Sequence, residues 1–171
     1  MTLVEPAPEL TAFLSRPENG AFQGFYAYWH CKGGGKSMPS RGDLDPLEIP
    51  RLLPSLFLVD VVPGDRRRFR FRLVGSRIES TGHKGLTGRW AHELQPEFYR
   101  DAVLRAYREA ALSGEPSIRR IHYGTNGNAL RYERVALPLS IHGTSADALL
   151  VGTDWEPANR EFFRLYPAIK P

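Results

Sequence analysis

Two neighbouring strand patterns, a run of short helical pieces closing in one long amphipathic helix, and then three further strands: this order constrains the fold more than any other feature of the chain. Leu56 to Val62 and Arg68 to Val74 flank the turn-forming run Pro63-Gly64-Asp65. A helical stretch from Pro96 to Ser113 follows, and apolar strand patterns resume after Pro116. Strands grouped on either side of a helical middle predict an α+β fold. Its frame is one five-stranded antiparallel sheet with helices over the concave face, leaving room for a small-molecule cavity between the layers.

Size and composition agree with that frame. A chain of 171 residues, 42% hydrophobic and 25% charged, suits one globular domain. The longest apolar stretch, Leu56 to Val62, is broken by Asp60 and is far shorter than the roughly 20 residues a membrane helix needs. The N-terminus lacks a basic segment followed by an apolar run, so no secretory signal is expected. Cys31 is the only cysteine, which excludes an internal disulfide and fits a cytoplasmic setting. The net charge of +4 permits acidic partners, but the basic residues are spread along the chain instead of forming a tail.

Local patterns refine the elements. Phe22, Phe25, Tyr26 and Trp29 recur at helical spacing and form an aromatic docking face. Two occupants suit it: the chain's own sheet, or a second helix in a homodimer or partner complex. Gly33-Gly34-Gly35 ends that helix. Asp45 is placed to cap a short helix with Pro46 at its first position, and Glu48 to reach back as in a capping box. In the second strand Phe69, Phe71 and Leu73 alternate with Arg70 and Arg72, the pattern of a half-buried strand. A broken helix through Ile78 stops near Gly82 and has the form of a cavity wall. The long helix turns Phe98, Ala102, Val103, Ala106, Tyr107 and Ala110 to one side. The last strands span Ser117 to Tyr123, Leu130 to Leu139 and Ala148 to Asp154, with turns at Asn126-Gly127 and His142-Gly143. Along the middle one the apolar residues switch parity, from Leu130 and Tyr132 to Val135, Leu137 and Leu139, which predicts a bulge.

A wider set of residues carries a family likeness. Trp29, Met38-Pro39-Ser40-Arg41 with Asp43, Asp45 and Pro46, Leu53-Pro54, Phe71-Arg72-Leu73-Val74-Gly75, Gly82, Thr87-Gly88 and Pro138-Leu139 together resemble a bacterial family of small, often stand-alone PAS-domain proteins. The resemblance runs from Phe22 to Asp154 and is most specific between Pro39 and Gly88, whereas Cys31 to Ser37 and Ser76 depart from the pattern. It implies a PAS fold that works in signal sensing or protein–protein interaction, without enzyme activity. It supplies no catalytic or ligand residues, because PAS domains use their cavities for very different cofactors. The domain plan is then an N-terminal helical extension and loop over 1–45, a PAS-like sensor domain over 46–156 and a C-terminal tail over 157–171.

Other chemical signals are weaker. Gly33-Gly34-Gly35-Lys36-Ser37 has the end of a phosphate-binding loop but not its first glycine, whose place His30 takes, nor the strand that should precede it. The histidines lack zinc-ligand spacing, so no metal site is assigned. His83 and His92 lie on the segments expected to wall the cavity and are the candidates for a single axial haem ligand. No cysteine falls there, which disfavours flavin adduct chemistry. Arg66-Arg67-Arg68, Arg70 and Arg72 would form a basic stripe with Arg119-Arg120 if the two strands' outer faces met, but no nucleic-acid motif accompanies them. Candidate cavity residues are Phe71, Leu73, Ile78, Trp90, Tyr107 and Val151, which are also ordinary core residues. The expected function is a sensory or adaptor module with an unidentified signalling partner, a small-molecule ligand and a homodimeric state. The alternative is a small enzyme or ligand carrier centred on His92 or Glu133. The sequence names no cofactor and no catalytic residue.

Overall fold

A computed structural model describes residues 2–4, 12, 20–64, 68–125 and 128–155. Strands β1 (Thr2–Val4), β2 (Leu56–Val62), β3 (Arg68–Val74), β4 (Ser117–Thr125), β5 (Asn128–Leu139) and β6 (Ala148–Trp155) form one sheet in the order β1-β4-β5-β6-β2-β3. Every neighbouring pair is antiparallel. The five expected strands are all present, and β1 adds an unanticipated edge strand beside β4. Helices α1 (Gly20–Gly33), α2 (Ser76–Ile78) and α3 (Glu97–Ser113) complete the frame. Asp65 of the first expected turn, Arg66 and Arg67 lie outside the described residues, as do Asn126 and Gly127 of the second.

Helices cover both faces of the sheet, and this decides how β5 must be read. Its pairing runs without interruption from Asn128 to Leu139 against β4 and from Tyr132 to Leu139 against β6, so the expected bulge does not exist. The parity switch has another cause. Val135, Leu137 and Leu139 point to one face, where α1 lies, while Tyr132, Arg134 and Ala136 point to the face under α3. With both faces buried, neither parity has to be polar.

The real irregularity is between β2 and β3. Leu58 pairs with Leu73 but Val59 pairs with Phe71, so Arg72 is an extra residue on β3. One inserted residue reverses the alternation that follows it. Phe69 and Phe71 stay buried, Leu73 turns outward at 45% exposure, and Val74 returns to the core. Leu73 therefore cannot line a cavity.

Helix α1 packs on the chain's own sheet. Phe22, Phe25 and Trp29 are buried, Trp29 Nε1 donates to the Pro138 carbonyl at 2.8 Å, and a Cβ built on Gly152 would stand 3.0 Å from the Phe25 ring. Of the two occupants predicted for the aromatic face, the sheet takes these three residues, so they are not an open dimer contact. Tyr26 is half-buried, its ring 5.9 Å from that of Trp29. Burying an aromatic of this size contributes about 2–3 kcal/mol, which makes α1 a layer of the core and not an appendage. One hydrophobic core joins Phe22, Phe25, Trp29 and Met38 to the strands.

The loops after α1 are tied by side chains. Asp45 caps the turn Pro46–Glu48 by accepting from the Leu47 amide at 2.9 Å. Glu48 does not close the predicted capping box; it pairs with Lys32 Nζ at 2.6 Å. Lys36, after the triple glycine, lies 3.7 Å from Asp43. On the opposite face α3 starts after Pro96, buries Tyr99, Ala102, Val103, Ala106, Tyr107, Ala110 and Ala111, and stops at Gly114, whose φ of +69° suits a left-handed cap. Phe98 sits at the margin of this face and stacks on Tyr123.

Candidate functional site: a buried arginine in an aromatic layer

The layer between α3 and the sheet holds the most unusual chemistry in the molecule. Arg134, in the middle of β5, is 1% exposed. An arginine keeps its proton in proteins, so this is a buried positive charge. Three tyrosines surround it: the guanidinium carbon is 5.1 Å from the Tyr132 ring, 5.4 Å from Tyr107 and 5.9 Å from Tyr99. Arg134 Nη2 donates to the Tyr99 hydroxyl at 3.4 Å, and that hydroxyl lies 2.9 Å from His83 Nε2. Arg134 Nε and Nη1 have no acceptor among the described residues.

The neighbours do not neutralise it. Arg134 forms no ion pair among the described residues. Arg119, opposite it on β4, is itself paired with Glu109 of α3. On the other side Thr153 of β6 faces Arg134 across the ladder, and its hydroxyl, like that of Tyr107, is buried without a partner among the described residues. Removing a guanidinium from water costs several kcal/mol even after relaxation. Desolvated cation–π contacts return about 2 kcal/mol each, and one hydrogen bond stretched to 3.4 Å onto a neutral hydroxyl adds little. The charge is cushioned by ring faces but not balanced by an anion among the described residues.

His83 reports the same electrostatics. It is 1% exposed, packed edge-on to Phe57 and Tyr99 with ring centroids 6.3 and 5.8 Å apart. Burial, and secondarily the Arg134 charge, pull its pKa from the ordinary 6.5 to about 3, so the ring is neutral at physiological pH. Because Arg134 can only donate, the Tyr99 oxygen accepts from it, and the Tyr99 hydroxyl proton is available to a neutral His83 Nε2. Burial also pushes the Tyr99, Tyr107 and Tyr132 hydroxyls above the usual tyrosine value.

Of the predicted cavity residues, Phe71, Ile78, Tyr107 and Val151 are buried, and Phe71 lies within 6.5 Å of Tyr107, ring to ring. Trp90 is half-buried and sits beneath Arg70 at the β3 edge, 5.8 Å from its guanidinium. To ligate haem through Nε2, His83 would first have to give up Tyr99, while His92 is exposed and stacked on Trp90. Glu133 is bound to Arg120 at 2.6 Å, on the sheet face opposite Arg134. His92 and Glu133 are not brought together. Glu93 accepts from the Trp90 amide at 2.7 Å and pairs with Arg89.

The basic stripe also dissolves: β3 and β4 are separated by three strands. Arg72 binds Asp60 at 2.9 Å, and Arg70 donates to the Gly88 carbonyl at 3.0 Å. Arg120 has Glu133 as its partner.

Arg134 and Tyr99 escaped sequence reasoning. The available signal was the parity of β5, where Arg134 stands between Tyr132 and Ala136 on one face. Interpreted as a bulge, that pattern concealed a charged residue pointing inward.

The strand order and the helical layer belong to a recognisable class. A family model described as "PAS domain" matches residues 18–151, and the chain is a member of that family. No curated protein matches its sequence. Among solved structures it is similar to an RNA-binding light-oxygen-voltage receptor, at 16% identity and a TM-score of 0.44, over 74% of this chain and 39% of that one. It is also similar to the PAS domain of Bordetella pertussis BvgS, at 14% identity and a TM-score of 0.38, over 71% of this chain and 94% of that one. The chain thus spans about two fifths of the receptor. No helix among the described residues is long and apolar enough to cross a membrane.

Proposed function

We propose that this PAS-family chain is a cytoplasmic sensory module of signal transduction that takes a small molecule between α3 and the sheet and passes the change to a protein partner. The observation that carries this reading is the unbalanced charge of Arg134 inside an aromatic layer. A module built only to present a surface gains nothing from a buried cation, since apolar residues of similar volume stabilise as well or better. A ligand that compensates Arg134 would shift the populations of the layer around it, and α3 and α2 are the elements that would carry the shift outward.

A ligand-free adaptor is the second reading, supported by the close aromatic packing of Phe69 and Phe71 on Tyr107, at 5.5 and 6.5 Å. Partner contact through Phe22, Phe25 and Trp29 would need α1 to leave the sheet, so a homodimer built on that face is not part of the proposal. Native mass spectrometry of gently purified protein separates the readings. Retention of a small molecule supports sensing, and a bare mass from repeated preparations supports the adaptor.

A further inference from the structure

The geometry points to a small monocarboxylate as the ligand class, held by the open fork of the Arg134 guanidinium. This inference rests on the sensory reading above and narrows it. Tyr99 occupies one hydrogen of Nη2, while Nε and Nη1 carry hydrogens with no acceptor among the described residues. Whichever edge Tyr99 takes, one pair of parallel N–H donors stays open. That pair matches the two oxygens of a carboxylate. The hydroxyls of Tyr107 and Thr153, buried and without partners, supply further donors in the same layer. Tyrosine rings against Arg134 suit a short apolar body.

Charge counting selects a monoanion. Arg134 is one cation, and its cross-strand neighbour Arg119 is already paired with Glu109. A single carboxylate brings the site to neutrality, whereas a phosphate dianion would leave a surplus negative charge in the same low-dielectric space. His83, neutral and tied to Tyr99, supplies no second positive charge.

The test uses the full chain, with acetate, benzoate and inorganic phosphate as probes and benzamide as the neutral match of benzoate, all at fixed ionic strength. Thermal unfolding and isothermal titration are measured on wild type, Arg134→Met and Arg134→Lys. Expected are a saturable rise in unfolding midpoint with acetate or benzoate, none with benzamide or phosphate, and at least tenfold weaker carboxylate binding in Arg134→Met. Arg134→Met removes an unbalanced buried charge and should fold at least as stably as wild type, so lost binding is not lost folding; Arg134→Lys should keep part of the effect. Equal action of benzoate and benzamide, or benzoate binding that survives in Arg134→Met, overturns the carboxylate assignment. Should neither acetate nor benzoate act while native mass spectrometry finds a neutral molecule retained, the assignment falls and the sensory reading stands. Inert probes together with a bare mass remove both.

Discussion

Acid should destabilise this protein through His83 in particular, and the size of the effect follows from where the ring sits. The side chain is buried against Phe57 and Tyr99 and faces the Arg134 charge, so its pKa falls from 6.5 to about 3. Between those values the unfolded chain binds a proton that the folded chain refuses. Stability from this group is therefore fully present above about pH 6.5 and declines as pH falls towards 3, by about 1.4 kcal/mol per pH unit. At pH 5 the loss is about 2 kcal/mol. Urea unfolding of wild type and His83→Gln at pH 7.5 and pH 5, followed by tryptophan fluorescence, isolates it. Glutamine does not titrate, its packing defect is the same at both pH values, and other ionisable groups cancel between the proteins. Wild type should lose about 2 kcal/mol more than the variant on going to pH 5. Equal losses would mean that His83 is solvated or charged in the folded protein, and the account of the Arg134 layer would fail with it.

Three further changes test the frame. Trp29→Ala should cost about 3–5 kcal/mol in urea unfolding, since it empties a core position and strands the Pro138 carbonyl; a change under about 1 kcal/mol would show α1 detached from the sheet. Gly75→Ala would bring a Cβ to 2.4 Å from the Leu53 and Pro54 carbonyl oxygens, so a loss of about 3 kcal/mol and a fall of roughly 10 °C in Tm are expected by calorimetry. Asp60→Asn breaks a carboxylate shared by Arg41 at 2.6 Å and Arg72 at 2.9 Å. Burial works against the charged form of Asp60, but hydrogen bonds from Arg72 and Arg41 outweigh it and lower its pKa. Both arginines are partly exposed, so the loss should be only about 1 kcal/mol and should shrink in 1 M salt.

The elements of the PAS frame were legible because they obey short periods. α3 repeats its small and aromatic residues at helical spacing from Ala102 to Ala110, and its ends at Pro96 and Gly114 are set by backbone chemistry local to those residues. The strands from β2 to β6 showed likewise as apolar runs between turn formers. The three-residue β1 carries too little pattern to announce itself, and only the edge of β4 makes it a strand.

Much of the site was not legible, for a different reason. Arg134 is an ordinary strand residue until α3 covers it, and its meaning depends on Tyr99, 35 positions earlier in the chain. Leu73 alternates correctly with Phe71, yet the extra Arg72 sends it to solvent. The aromatic face of α1 could have met a partner or its own sheet, and the glycine at position 152 lets the sheet come close enough to take it. Periodicity and turn chemistry are properties of a few adjacent residues, so the sequence by itself determined the strands, the long helix and their order. Burial and charge compensation arise only when distant segments meet; tertiary structure alone decided that the middle of the sheet would enclose a cation with no counterion among the described residues.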